Sequence, residues 1–276
     1  SLSANEGLVV DGIAPLVPTV QATTADGSYK AGDVIDITVS FNDTVTVTGT
    51  PQLTLETGST DRVVDYAGGS GSSDLTFSYT IQAGDSSADL DYLSTSALSL
   101  NSGTIVDGSG NAAILTLPSG ANSLAANAAL VVDTTSPTVT AVDSTSVAGT
   151  YMIGDSINIT VNFDEVVTVT GLPQITLETG STDQVVNYVS GSGSNALIFN
   201  YIVQDGDSSS DLDYLSTTAL SLNNGTILDG AGNAATLTLA TPGQAGSLSA
   251  NEGLVVDGIA PLVTTVQAPT ADGSYK

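Results

Sequence analysis

The stretch Leu-Val-Val-Asp-x-x-x-Pro occurs three times, over residues 8–15, 130–137 and 254–261. Its aspartates, Asp11, Asp133 and Asp257, stand 122 and 124 residues apart, and the two extra residues fit within 241–246. A repeat of this length is too long for a solenoid unit and suits a small domain with its own core. In each copy an apolar run reaches the aspartate, and a proline then opens the next apolar run. Proline fixes φ and offers no N–H, which suits a seam between sheets. The spacing predicts that 1–11 is the last strand of a preceding repeat and that 12–133 and 134–257 are complete domains. It predicts 258–276 as the first strand of a following repeat. Residues 1–30 and 247–276 differ only at Pro18/Thr264 and Thr23/Pro269, as expected of a window cut from a longer tandem array.

Within each copy the apolar residues recur with period two. Ile35, Ile37, Val39 and Phe41 alternate with polar neighbours, and Ile157, Ile159, Val161 and Phe163 repeat them. Leu53 and Leu55 follow in the next stretch. Leu75, Phe77, Tyr79 and Ile81, matched by Leu197, Phe199, Tyr201 and Val203, form the clearest run. Such alternation marks strands with one buried face. Gly/Ser-rich turns separate them, and no helical period appears. The fold class expected is all-β, with roughly seven to nine strands per β-sandwich domain. Aromatic residues are scarce, so Val, Ile and Leu must fill the core, with Phe77, Tyr79, Phe163 and Tyr201 packed among them.

Charge narrows the partners. Three basic residues against 29 acidic ones give a net charge of −26, so nothing could neutralise nucleic-acid phosphates or favour an anionic membrane surface. No apolar run approaches membrane-spanning length. A folded chain this acidic repels itself unless cations or salt screen it. The absence of Cys and His removes disulfides, thiol chemistry, the usual zinc ligands and every His-dependent nucleophile. Carboxylate pairs alone, on loops of small domains, make a poor acid–base site, so no enzyme is expected.

The carboxylates do suit a hard cation, because calcium takes six to eight oxygen ligands. The loop after the Leu75–Ile81 strand carries Asp85, Asp89 and Asp91, and its copy carries Asp207, Asp211 and Asp213. If successive strands alternate direction, this loop reaches the pole where the last strand ends. That places Asp85, Asp89 and Asp91 near Asp133 and near Asp164 and Glu165, and Asp207, Asp211 and Asp213 near Asp257. At the first seam Asp11 is expected to meet Asn42 and Asp43. The competing reading is a solvated loop with turn-capping aspartates. Asp107-Gly-Ser-Gly-Asn111 resembles the start of an EF-hand loop but lacks its closing Glu, and reads as a tight turn. The Thr-x-Thr run at 44–50 reads as ordinary outward strand threonines.

Taken together, TADGSYKAGDVIDITVSF, VTVTGTPQLTLETG, LTFSYTIQAGDSSADLDY, GTIVDGSGNAA and LVVDGIAP resemble the immunoglobulin-like repeats of giant bacterial surface and secreted proteins. These are the extender regions of adhesins exported by type I systems. The immunoglobulin hallmarks of Cys and Trp are absent. The resemblance covers the whole chain and implies tandem immunoglobulin-like sandwiches, an extracellular or cell-surface location, a calcium-rich setting and a spacer role. In related arrays calcium often stiffens the joints. Neighbouring repeats are the expected partners, including strand pairing between molecules through the terminal stretches. A second reading is a carbohydrate- or protein-binding adhesion module using loops at one pole of the sandwich.

Overall fold

The computed structural model describes residues 10–267 and 273. With 47% of the chain in strands and 4% in helix, the protein is all-β. It divides into two compact units, Ser1–Thr135 with Gly230–Asn233, and Ser136–Asp229 with Ala234–Lys276.

Unit 1 contains β1 (Thr19–Ala22), β2 (Gly27–Tyr29), β3 (Val34–Thr48), β4 (Gln52–Glu56), β5 (Arg62–Gly68), β6 (Ser72–Thr80), β7 (Ser86–Ser87), β8 (Asp91–Tyr92), β9 (Leu98–Ser99), β10 (Thr104–Val106), a one-turn helix α1 (Leu124–Asn127) and β11 (Leu130–Asp133). The main sheet runs β1-β3-β6-β5-β4-β8, with β10 added to β3 and β9 to β4. A smaller sheet, β2-β11-β7, pairs β2 parallel to β11. Curled antiparallel sheets of this kind are consistent with a β-sandwich.

Alternation sets which side chains turn inward. Ile35, Ile37, Val39, Leu53, Leu55, Leu75 and Phe77 are fully buried. Tyr66 meets Phe77 edge-on at 6.1 Å, a favoured aromatic geometry. The run at 34–41 and the Thr-x-Thr run belong to one 15-residue strand, β3, rather than to two stretches. Between Ser40 and Val45 the register shifts, so five steps along β3 oppose two along β6. This bulge bends β3 and lets its second half leave β6 for β10. It also thrusts Asn42 and Asp43 outward, and both are exposed.

A second irregularity separates Tyr66 from Gly68, opposite β6. There Gly69 has φ +106°, and an added Cβ would lie 2.0 Å from the Asp74 carbonyl oxygen. Only glycine fits that approach. Helix α1 covers the free side of β1: Asn127 Nδ2 donates to Val20 O at 2.9 Å, and Leu124 is fully buried. Sequence periodicity could not reveal α1, because four residues complete barely one turn.

Unit 2 repeats the plan as β12 (Val139–Ser144), β13 (Gly149–Met152), β14 (Ser156–Thr170), β15 (Gln174–Glu178), β16 (Gln184–Ser190), β17 (Ser194–Ile202), β18 (Ser208–Ser209), β19 (Asp213–Tyr214), β20 (Leu220–Ser221), β21 (Thr226–Leu228), α2 (Leu248–Asn251) and β22 (Leu254–Asp257). Its sheet orders and its β14 bulge match those of unit 1.

Candidate metal centre

In unit 1 three carboxylates converge: Asp11, Asp43 and Asp107 each offer an oxygen within 4.8 Å of the others. Each arrives by a different local device. Asp11 sits in the stretch leading into β1 and folds back on itself, Oδ1 accepting from Ile13 N at 3.0 Å. The β3 bulge presents Asp43, whose Oδ1 accepts from Thr44 N at 2.7 Å. Asp107 opens the turn after β10, and its Oδ1 accepts from the backbone N–H of Ser109 (2.9 Å) and Asn111 (2.8 Å). Its Oδ2 accepts from Asn111 Nδ2 at 2.7 Å.

The turn is tied to Asp11 as well. Asn111 Nδ2 donates to Asp11 O at 3.2 Å, and Ser109 Oγ to Asp11 Oδ2 at 3.4 Å. Asp107 is buried, and the Asn111 side-chain amide, reinforced by backbone N–H groups, outweighs that burial and holds its carboxyl below the ordinary range. It is therefore a fixed anion at neutral pH. Carboxylates are hard oxygen donors, and three of them together suit calcium or magnesium rather than a thiophilic metal.

Unit 2 keeps part of this arrangement within itself. Glu165 and Asp229, the counterparts of Asp43 and Asp107, bring carboxylate oxygens within 4.8 Å of each other, with Asp229 buried. Asp164 takes another task. Its Oδ1 accepts from Thr138 N at 2.8 Å and its Oδ2 from Thr138 Oγ1 at 2.6 Å, which holds its carboxyl low. Its counterpart Asn42 accepts from Leu16 N at 2.8 Å in the same way. One side chain at the bulge of each β3-type strand thus fixes the entering chain, and the next offers the carboxylate.

The acidic loop does approach the end of the last strand. Strand β7 pairs with β11, Asp133 opposite Ser86, and β18 pairs with β22, Asp257 opposite Ser208. Its carboxylates nonetheless do not gather into a cluster of three or more among the described residues. Asp85 turns inward and is 1% exposed. Its Oδ1 meets Arg62 Nη2 at 2.6 Å and Nε at 2.7 Å. Its Oδ2 accepts from Tyr79 Oη (2.7 Å) and Gln82 N (2.9 Å). Burial pushes this carboxyl up, but Arg62, Tyr79 and the Gln82 N–H outweigh it and hold it low. Asp207 accepts the corresponding hydrogen bonds from Gln184 Nε2, Tyr201 Oη and Gln204 N.

The other loop carboxylates are dispersed. Asp89 and Asp211 are exposed. Asp91 Oδ1 accepts from Tyr92 N, and buried Asp213 accepts from Tyr214 N, Gly243 N and Ser249 Oγ. Asp133 Oδ1 accepts from Thr135 N, and exposed Asp257 from Ile259 N. Sequence reasoning joined Asp11 to Asp43 but read Asp107 as a turn. The missed signal was that Asp-Gly-x-Gly-Asn stands intact in both copies, at 107–111 and 229–233.

No protein-family model matches this chain, and no curated protein matches it.

Proposed function

We propose that the protein is a structural spacer: a segment of tandem immunoglobulin-like β-sandwich repeats that holds a functional part of a longer extracellular protein away from the bacterial surface. The observation that carries this reading is the close correspondence of the two units in strand order and register, with an added irregularity only between Val139 and Ala141 where the first strand meets β14. Strand order, the β3 bulge and the inward Tyr–Asp lock all recur. A recognition module departs from its neighbours by long insertions or exposed aromatic loops. Here the copies differ in length by two residues.

The same reading gives the acidic clusters a task. Asp11, Asp43 and Asp107 would hold calcium in unit 1, and Glu165 with Asp229 would contribute in unit 2, with Asp133 as the sequence counterpart of Asp11. Calcium bound there would neutralise part of a large negative charge and stiffen the chain entering each sandwich. Neighbouring repeats are the partners in such an array.

The competing function is adhesion through loops at a pole. Screening the calcium-loaded chain on arrays of glycans and surface proteins separates the two. The spacer reading expects no selective binding, and a reproducible ligand would overturn it.

A further inference from the structure

The outward face of the main sheet differs in charge between the two units. In unit 1 it carries Asp36 on β3, Asp65 on β5 and Asp74 on β6, each one step from a buried residue. Asn158, Asn187 and Ala196 stand at the matching positions of unit 2. Apolar side chains gather there as well: Ile198 stands for Thr76, Ile202 for Thr80 and Val189 for Ala67. Ile202 and Val189 are 50% and 60% exposed. Asp143 on β12 is the carboxylate that remains, where unit 1 has Gln21, and its Oδ2 accepts from Asn162 Nδ2 at 2.8 Å.

The fold does not impose these exchanges. Asp65 Oδ1 accepts from Gln52 Nε2 at 2.8 Å, and Asn187 Oδ1 accepts from Gln174 Nε2 at 2.9 Å. Asp36 Oδ1 accepts from Ser78 Oγ at 2.6 Å, and Asn158 Oδ1 accepts from Asn200 Nδ2 at 2.7 Å. In both pairs the bond is kept and only the charge is removed. The same face holds Thr160, opposite Asp143 on one side and Ile198 on the other. Its Oγ1 is the one buried side-chain polar atom without a partner among the described residues. In a chain of net charge −26, an exposed face depleted of charge and enriched in apolar side chains marks a contact surface.

Charge also selects the partner. Two copies of this chain repel each other, and the repulsion is smallest where both present neutral groups. Amides donate and accept, so such a face can be complementary to itself across a two-fold axis. Four strands about 4.8 Å apart, over about seven residues of about 3.3 Å each, make a face of roughly 440 Å². Two such faces bury on the order of 900 Å², the size of a weak, reversible contact.

We propose that the β12–β14–β17–β16 face of unit 2 is a lateral contact surface on which a second copy of this chain docks by the same face. The inference goes beyond the spacer reading and does not rest on it.

Sedimentation of the full chain tests this, at protein concentrations up to about 1 mM and in low and high salt. The average mass should rise with concentration, and more so in high salt, which screens the residual repulsion. Asn158→Asp, Asn187→Asp and Ala196→Asp together give unit 2 the carboxylates that unit 1 carries in the same register, so the variant has a folded precedent. It should weaken association at least about tenfold. A variant of equal charge, with Ser181→Asp, Ser210→Asp and Ala245→Asp at exposed positions off the face, should keep most of it. A mass that remains that of the monomer at every concentration, or two variants that behave alike, would overturn the proposal. So would a neutral oligosaccharide that binds the unmodified chain and not the first variant, in the absence of self-association. Loss of the proposal on either of the first two grounds leaves the spacer reading, which is tested by chain length and calcium, where it stands.

Discussion

Tyr79 Oη donates to Asp85 Oδ2 at 2.7 Å, and 122 residues on Tyr201 Oη donates to Asp207 Oδ2 at 2.5 Å. The lock ties the end of β6 to the loop that follows it, and the buried carboxylate is its hub. The third partner differs: Arg62 in unit 1 and Gln184 in unit 2. Tyr79→Phe removes one hydrogen bond to a charged acceptor and should cost unit 1 about 1.5–3 kcal/mol in chemical denaturation.

Arg62→Gln rebuilds in unit 1 the arrangement that unit 2 already uses. Gln184 Nε2 reaches Asp207 Oδ1 at 2.9 Å, so the substituted glutamine has a working precedent. The change should leave the stability of unit 1 nearly unaltered. Arg62→Ala leaves the Asp85 oxygen without its partner and should destabilise unit 1 more than Arg62→Gln does. Solvent at Arg62 screens the pair and limits the loss. Paired denaturation curves of the two variants check this.

Acid should unfold the protein through a few identifiable groups. Asp85, Asp107 and Asp164 all have carboxyls held below their ordinary value in the folded state. Unfolded, such groups titrate near ~3.9. Their contribution is therefore complete above that pH and is lost as pH falls through the lower folded values. In salt high enough to screen the net charge, stability should be level from about pH 5 to 7 and decline below about pH 4. Carboxyl resonances followed by NMR should show these three titrating below the ordinary carboxylate value of ~3.9.

Gly69 and Gly71 both have positive φ, +106° and +87°, but only Gly69 is crowded. Nothing lies within 4 Å of a Cβ added at Gly71, so Gly71→Ala should cost about 1–2 kcal/mol from backbone strain alone. Gly69→Ala forces β5 and β6 apart at the bulge and should cost more than about 3 kcal/mol. Thermal melts of the two variants rank them.

Calcium should stabilise unit 1 through the Asp11 cluster. For a site of about 0.1 mM affinity, about 10 mM calcium adds about 2.7 kcal/mol. Asp107→Asn keeps an oxygen for the Ser109 and Asn111 N–H groups but removes the charge, and Asp43→Asn removes a second one. Together they should erase the calcium-dependent rise in melting temperature, while Tyr79→Phe should leave it intact.

How much of this was legible in the residues depends on how local the signal was. Inward faces such as Ile35–Ile37–Val39 and Leu75–Phe77–Tyr79 could be read because period-two burial is written in adjacent positions. The union of two stretches into β3 could not, since it depends on a bulge defined by β6 and β10. The Asp11–Asp43 meeting was foreseen from strand direction. Asp107 was not, because the turn geometry that satisfies an aspartate is the same whether or not the side chain also faces an ion. The Asp85 loop misled for a related reason. Three carboxylates in seven residues look like a ligand set, yet the buried one answers Arg62 and Tyr79, residues 23 and 6 positions away.

Small-angle scattering on the unmodified chain, with calcium and after its removal by EDTA, tests the spacer account most directly. Sandwich strands of about ten residues give domains roughly 35–40 Å long. With calcium the account predicts an extended particle of about twice that length with a sharply defined maximum dimension. Without calcium it predicts a broadened distribution. A compact particle, or dimensions indifferent to calcium, would contradict it.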